Sequence, residues 1–209
     1  MRTPKVVVFD IGNVLLEWRP ERLYARLIPD ADRREAFFEE TQIQEMNLEV
    51  DRGAPFKEHI YAHAAKHPKY EGLIRAWHDN WIEMASPAIE GSVRLLRTLK
   101  SRGVRTAALS NFGVESFDYA CTVYPFLTEF DVPVISGREE TIKPEPRIYE
   151  ILEERTGLLG QDILFVDDSA KNVAAARARF WQAAIFVSPQ LFGRQLQARN
   201  LIGENDVPD

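Results

Sequence analysis

Cysteine is almost missing from this chain of 209 residues: Cys121 is the single one, so no internal disulfide can form. Without a disulfide framework, a reducing and cytoplasmic setting is expected. Long apolar runs are missing as well. No stretch reaches the roughly 18 apolar residues of a membrane span, so none is expected. The apolar part of the opening MRTPKVVVFD is too short for a signal peptide and closes on an acid. Positive charge is in deficit, with 26 Lys and Arg against 32 Asp and Glu and a net charge of −6. That balance argues against nucleic acid or an anionic membrane as the main partner, while a local pocket can still hold a small anion. Internal repeats and low-complexity tracts are absent too.

What is present is a core-forming chain, 45 % hydrophobic, long enough for one large domain or a core with a smaller insertion. VVVF from Val6 is a continuous β-branched run, the pattern of a strand buried on both faces of a parallel sheet. VRTAALS from Val104, DILFV from Asp162 and AAIFV from Ala183 read the same way. Helical patterns alternate with them. One is expected to open at Pro87, carry Ile89, Val93 and Leu96 inward and stop at Gly103. Another opens at Pro146, with Ile148, Ile151 and Leu152 inward, and stops at Gly157. A third is capped by Ser169 and runs through Val173 and Ala176. Alternation of this kind predicts an α/β doubly wound parallel sheet.

From about Arg19 to Ala85 no strand pattern occurs. ERLYARLI, REAFFEE, APFKEHIYAHAA and EGLIRAWHDNWIEM are amphipathic helical segments, separated by turns at Pro29-Asp30, Arg52-Gly53 and His67-Pro68. The expected division is an α/β core of residues 1–16 and 86–209 with a helical cap of residues 17–85.

Ligands of an open parallel sheet bind at the carboxyl ends of its strands. Asp10 ends the first strand and Ser110-Asn111 the second; Lys143 lies before the Pro146 helix; Asp167-Asp168 end the ILFV strand. Each alone could be a helix cap. Together they bring carboxylates, one ammonium and one hydroxyl to one rim. Close carboxylates repel unless a cation compensates, and hard oxygen ligands suit Mg²⁺, a usual partner of phosphate.

FDIGNVL, LSN, IKPEP and FVDDS, in this order around a helical insertion, resemble the haloacid dehalogenase superfamily of hydrolases. The resemblance covers nearly the whole chain and implies a Rossmann-like core with an α-helical cap after the first strand. It implies Asp10 as the nucleophile that forms an aspartyl-phosphate. Ser110, with backbone N–H groups near Asn111, Asn13 and Gly12, holds the oxygens of the transferring group, and Lys143 offsets charge on nucleophile and phosphate. Mg²⁺ is implied on Asp10, on the Gly12 carbonyl, on Asp168 directly, and on Asp167 directly or through water.

Phosphatases of this superfamily usually place a second aspartate two residues after the nucleophile, to protonate the leaving oxygen. Here Gly12 stands there. General acid–base help is worth about 10²–10⁴-fold. A Mg²⁺-dependent phosphatase of a small phosphorylated metabolite, such as a sugar phosphate, is the favoured reading, with a water, a cap residue or a good leaving group replacing that acid. The second is hydrolysis at carbon, as in 2-haloacid dehalogenases. Those replace the late acid pair by serines and place an arginine about thirty residues after the nucleophile. This chain keeps Asp167-Asp168, has Glu40-Thr41 at that offset, and has Arg33 and Arg34 several residues early. The third is a non-catalytic binder, which would have little need of Asp10, Lys143 and the acid pair together.

Weaker signals remain. Trp77 and Trp81 are expected as core anchors on one helix face, His78 as a rim residue, and Trp18 as either packing or pocket wall. Asn13 is expected to shape a turn, and Asn172 either to orient the acid pair or to be solvated. Phe180, where the superfamily usually has glycine, marks a different helix exit or a buried plug. Cys121 reads as a small core or interface residue, and GENDVPD at 203–209 as a disordered, solvated tail.

Overall fold

The computed structural model describes residues 2–208. β1 (Val6–Phe9) is followed by α1 (Pro20–Leu27), α2 (Ala31–Thr41), α3 (Ile43–Asp51), α4 (Phe56–Ala65), α5 (Glu71–Asp79) and α6 (Trp81–Met84). Then come α7 (Glu90–Ser101), β2 (Arg105–Ser110), α8 (Val114–Val123), β3 (Val132–Ile135), α9 (Ser136–Glu139), α10 (Pro146–Thr156), β4 (Ile163–Asp167), α11 (Ala170–Ala178), β5 (Gln182–Ile185) and α12 (Pro189–Gln197). The strands form one parallel sheet in the order β3-β2-β1-β4-β5. This is the Rossmann-like α/β fold expected from the strand–helix alternation.

The sheet is covered on both faces, which is why its strands are apolar throughout. Alternate residues of β1 enter different clusters: Val7 and Phe9 join Ala108, Leu164 and Val166 on one face. Val6 and Val8 join Leu109, Ile163 and Phe165 on the other. The first cluster runs without a break from the sheet into the helices between β1 and β2, through Leu15, Leu23, Tyr24, Phe37, Trp77 and Trp81. Leu16 pairs with Ala88, Glu17 N–H donates to the Pro87 carbonyl and Arg19 N–H to the Met84 carbonyl. The chain therefore leaves and re-enters the sheet region side by side.

Several expectations need correction. Pro87 does not open a helix: residues 87–89 are tied to Leu15–Glu17 by main-chain hydrogen bonds, and α7 starts at Glu90. The EGLIRAWHDNWIEM segment is broken at Asn80 (φ −122°, ψ 23°), so Trp77 and Trp81 are both buried but lie on α5 and α6. β3 and α3 escaped the reading. β3 contains Pro133, and proline in a strand is confined to sheet edges, the place β3 occupies. Ser169 holds the N-cap position of α11, yet its side chain does not cap.

The 203–208 segment is ordered instead of solvated. It makes a 3-10 turn at Glu204–Asp206, Asp206 pairs with Arg102 at 2.6 Å, and Pro208 is buried over Gly91 and Gly193. Asp209 lies outside the described residues. Phe180 is an exit and no plug: it is 77 % exposed and has φ +64°, a left-handed conformation in which glycine carries no steric penalty. Cys121 is half-buried against the core, and burial pushes its thiol up. Among the described residues, no helix is long and apolar enough to cross a membrane.

Candidate active site

The strand order reverses between β1 and β4, and a crevice opens at the carboxyl ends of strands flanking such a switch point. Asp10 leaves β1 there, and its N–H donates to the Val166 carbonyl at 2.9 Å, extending the ladder to the residue that carries the carboxylate. Asp167 closes β4 beside it. Ser110 closes β2 on the other flank.

The hydrogen bonds to the Asp10 carboxylate all end on one oxygen. Oδ1 accepts from the Ile11 N–H at 2.7 Å, from Ser110 Oγ at 2.7 Å and from Lys143 Nζ at 2.8 Å. Oδ2 takes none of them, and Asp10 keeps 7 % exposure where it lines the cavity. One oxygen is held; the other is free to attack or to bind a cation. Burial drives the Asp10 carboxyl from 3.8 up to about 7; Lys143 opposes the rise, Asp167 adds to it, and Ser110 opposes it.

Lys143 is the only cation in the cavity wall among the described residues, and it is spoken for. Its side chain is 1 % exposed and its Nζ bridges Asp10 Oδ1 and Asp167 Oδ2, the latter at 2.6 Å. Burial pulls its ammonium down, but the two carboxylates win and hold it above the usual lysine value. The Asn111 side chain fixes the loop that delivers it: Oδ1 accepts from Lys143 N–H at 2.7 Å and Nδ2 donates to the Lys143 carbonyl at 3.0 Å. Asn111 thus holds Lys143 with its amide and has only its backbone left for an anion.

Asp167 is fully buried and fully used. Oδ1 accepts from the Ser169 N–H and from Asn172 Nδ2; Oδ2 accepts from Lys143 Nζ and again from Asn172 Nδ2. Asn172 therefore orients this acid. Asp168 is exposed, and its Oδ2 accepts from Asn13 Nδ2 at 2.9 Å. Asn13 (φ +54°) shapes the turn after Asp10, and its Oδ1 accepts from the Trp18 N–H at 3.0 Å. Asp10, Asp167 and Asp168 each bring a carboxylate oxygen within 4.8 Å of the others. Three acids against one ammonium leave an excess of negative charge, and hard oxygens of this kind fit Mg²⁺. Asp10 and Asp168 have oxygens to spare; Asp167 has none.

The cavity above them measures about 220 Å³. Gly12, Leu16, Glu17, Trp18, Phe112 and Trp81 form part of its wall, and Asn47 and Asp51 of α3 complete it. A Cβ at Gly12 would meet only Trp18 Cβ, at 3.8 Å. Trp18 does both of its expected jobs, lining the cavity and stacking within 6.0 Å of Trp77 and Trp81. His78 packs on Phe56 and pairs with Asp79, outside the cavity. Arg33, Arg34, Glu40 and Thr41 do not line it either.

Asp51 escaped the sequence reading. It is the last residue of α3, the end at which the helix dipole disfavours an acid, and that local conflict was its available signal. Its carboxyl accepts from Asn47 Nδ2 at 3.1 Å and from the Gly113 N–H. Burial pushes it from 3.8 to about 7; the Gly113 N–H opposes this, the Asp10 charge adds to it and Lys143 opposes it.

A free carboxylate oxygen, a buried ammonium and an acid cluster at the switch point of a doubly wound sheet form a candidate site whose chemistry suits attack on an electrophile beside a cation. The haloacid dehalogenase-like hydrolase family model matches residues 4–178. The chain belongs to that family of hydrolases. Two curated relatives are an (S)-2-haloacid dehalogenase of Pseudomonas sp. (strain YL), 35 % identical over 82 residues, and haloacetate dehalogenase H-2 of Moraxella sp. (strain B), 32 % identical over 96 residues. The matches cover 39 % and 46 % of this chain, and the chain spans only 35 % and 42 % of the relatives' lengths.

Among solved structures, a HAD family enzyme from Bacteroides thetaiotaomicron is similar with TM-score 0.72 and 18 % identity, over 93 % of this chain and 99 % of that one. The same enzyme in complex with magnesium and inorganic phosphate gives 0.66 and 19 %, over 88 % and 95 %. L-2-haloacid dehalogenase from Xanthobacter autotrophicus gives 0.62 and 19 %, over 96 % and 85 %. At such identities these are likenesses of fold.

Proposed function

We propose that the protein is a Mg²⁺-dependent phosphatase of small phosphate monoesters, working through an aspartyl-phosphate on Asp10, with residues 17–85 as the cap over the site. The observation that carries this is the charge set: three carboxylates gathered within 4.8 Å of one another around a single lysine. A substrate anion entering that field needs a divalent cation, whose chemistry there is to neutralise carboxylate and phosphate oxygens together. Asp10 and Asp168 would hold it, with the Gly12 carbonyl; Asp167 would reach it through water, because its own oxygens are taken by Lys143, Asn172 and Ser169.

In this reading Asp10 attacks phosphorus, and Ser110 and Lys143 hold its carboxylate in place on Oδ1. Lys143 and the N–H groups following Asp10 and Ser110 stabilise the equatorial oxygens, where most of the barrier reduction in phosphoryl transfer arises. The cavity of about 220 Å³ suits a phosphate with a small body. Its rings, Trp18, Trp81 and Phe112, and its acids Glu17 and Asp51 favour a neutral hydroxylated body, as in a sugar phosphate, over a second anion.

Hydrolysis at carbon is the second reading, favoured by the two curated relatives and by Gly12. Against it stand the retained acid pair and a cavity wall in which, among the described residues, no arginine is available for a substrate carboxylate. Phosphate release from a panel of phosphate monoesters, with and without Mg²⁺, tests the proposal; release requiring Mg²⁺ is expected. Metal-independent chloride release from 2-chloropropionate, with no phosphate release, would reverse the order.

A further inference from the structure

We propose that Asp51 is the general acid and base of this site, reaching in from α3 to fill the role that Gly12 cannot; the inference rests on the phosphatase reading above. Elimination leads to it. The titratable side chains of the cavity wall are Asp10, Glu17, Asp51, Lys143 and Asp168. Asp10 is the nucleophile of that reading, Lys143 is locked between two carboxylates, and Asp168 belongs to the cation. Glu17 is engaged in ion pairs with Arg22 at 2.5 Å and with Arg19 at 3.6 Å. Among the described residues, Asp51 has no cationic partner within ion-pairing distance: the neighbouring Arg52 is turned to Glu145 at 2.5 Å.

Its position is built. The Asp51 carbonyl accepts from Ser136 Oγ at 2.6 Å, and Ser136 Oγ in turn accepts from the Phe112 N–H at 2.8 Å. Close glycine contacts seat the end of α3 on the sheet edge. A Cβ at Gly113 would lie 2.6 Å from Val50 Cγ1, and one at Gly53 2.8 Å from the Gly137 carbonyl. Asn47, itself accepting from Trp77 Nε1 at 3.0 Å, donates to the Asp51 carboxyl. The groups facing that carboxyl are Asp10 and Lys143 from the sheet edge, the Gly113 N–H from the start of α8, and Asn47 from its own helix; Glu115 of α8 instead accepts from the Phe56 N–H. Burial raises this carboxyl to about 7, with the Gly113 N–H and Lys143 opposing and the Asp10 charge adding, so a share of the molecules carries a proton on it near neutrality.

An in-line displacement puts the leaving oxygen on the side of phosphorus away from Asp10, inside the cavity that Asp51 lines from α3. As the Asp10 Oδ2–P bond forms and the bridging P–O bond breaks, the Asp51 carboxyl gives its proton to the departing oxygen, and the alcohol leaves neutral. In the second step the Asp51 carboxylate takes a proton from water as the water oxygen attacks phosphorus. The Asp10 Oδ2–P bond breaks, phosphate is released, and both aspartates return to their starting states.

The test compares wild type and Asp51→Asn, each with Mg²⁺, on alkyl phosphates and on dinitrophenyl phosphate, whose phenolate leaves without a proton. For Asp51→Asn, kcat/KM is expected to fall about 10²–10³-fold on alkyl phosphates and less than about tenfold on the dinitrophenyl ester. Partial misfolding would lower both equally, so the ratio reads chemistry alone. Adding Gly12→Asp, which the open space at Gly12 accommodates, is expected to recover at least about tenfold on alkyl phosphates. Equal losses on both substrate types, or no loss, overturn the Asp51 role and leave the phosphatase reading standing. Wild type that releases no phosphate from either ester overturns both.

Discussion

Replacing Lys143 by Met keeps most of the side chain's length and removes its charge. Nζ lies 2.8 Å from Asp10 Oδ1 and 2.6 Å from Asp167 Oδ2 in a nearly sealed environment. At an effective dielectric of about 20 each attraction is worth about 6 kcal/mol gross. The desolvation of three ions, several kcal/mol each, offsets most of that. The variant keeps the desolvation of two carboxylates and loses the attraction, so a net loss of about 3–5 kcal/mol is expected near pH 8. The loss should depend on pH in a definite direction. The Asp10 carboxyl titrates near 7 in the fold against 3.8 normally. A carboxyl raised in this way costs stability as pH climbs from about 4 to about 7. Without Lys143, which opposes the rise, its pKa goes higher still and the cost extends further. The deficit should therefore be smaller near pH 5, where Asp10 takes up its proton, and widest near pH 8. Urea unfolding of both proteins at the two pH values measures it. A deficit under about 1 kcal/mol at pH 8, or one that grows on acidification, would refute the reasoning.

Asp168→Asn should leave unfolding within about 0.5 kcal/mol of wild type without metal, because Asp168 is exposed. It should also abolish the rise in melting temperature that millimolar Mg²⁺ is expected to give wild type, as followed by calorimetry. Phe180→Gly should stabilise by about 0.5–1 kcal/mol in urea, since it relieves a positive φ at a ring that is 77 % exposed. Gly53→Ala should destabilise by about 2 kcal/mol or more on the same measurement, because it adds a Cβ at φ +108° and 2.8 Å from the Gly137 carbonyl. Asp51→Asn should be more stable than wild type at pH 8 and equal to it near pH 4. The Asp51 carboxyl titrates near 7 rather than 3.8, so its ionisation costs up to about 4 kcal/mol between those values. Unfolding curves across pH check this, and a variant less stable at pH 8 contradicts it.

The polar rim was legible because each of its residues ends an apolar strand or opens a helix, and strand ends are fixed by the topology. Val6–Phe9, apolar on both faces, announced a central parallel strand, and Asp10 followed from it. Asn172 and Asn13 were readable only as neighbours in sequence; which acid each would hold depends on how the turns close. β3 was hidden because Pro133 interrupts its run. The start of α7 was misplaced because Pro87, a good first residue for a helix, is instead held in extended chain by Glu17 and Leu15. Asp51 could not be placed by pattern. It is 41 residues from Asp10 along the chain, and only the seating of α3 against Gly113 and Ser136 brings it to the cavity. The order of residues 203–208 was likewise tertiary, since Arg102, Gly91 and Gly193 supply the partners that a polar tail does not reveal.

What becomes attached to Asp10 during turnover tests the central claim most directly. The protein is mixed with Mg²⁺ and an aryl phosphate, quenched in acid within the first turnover, digested and analysed by mass spectrometry. A phosphoryl group on the Asp10 peptide, absent in Asp10→Asn, is the predicted result. An unmodified Asp10 during steady phosphate release, or an ester to carbon formed there from 2-chloropropionate in its place, would contradict the account.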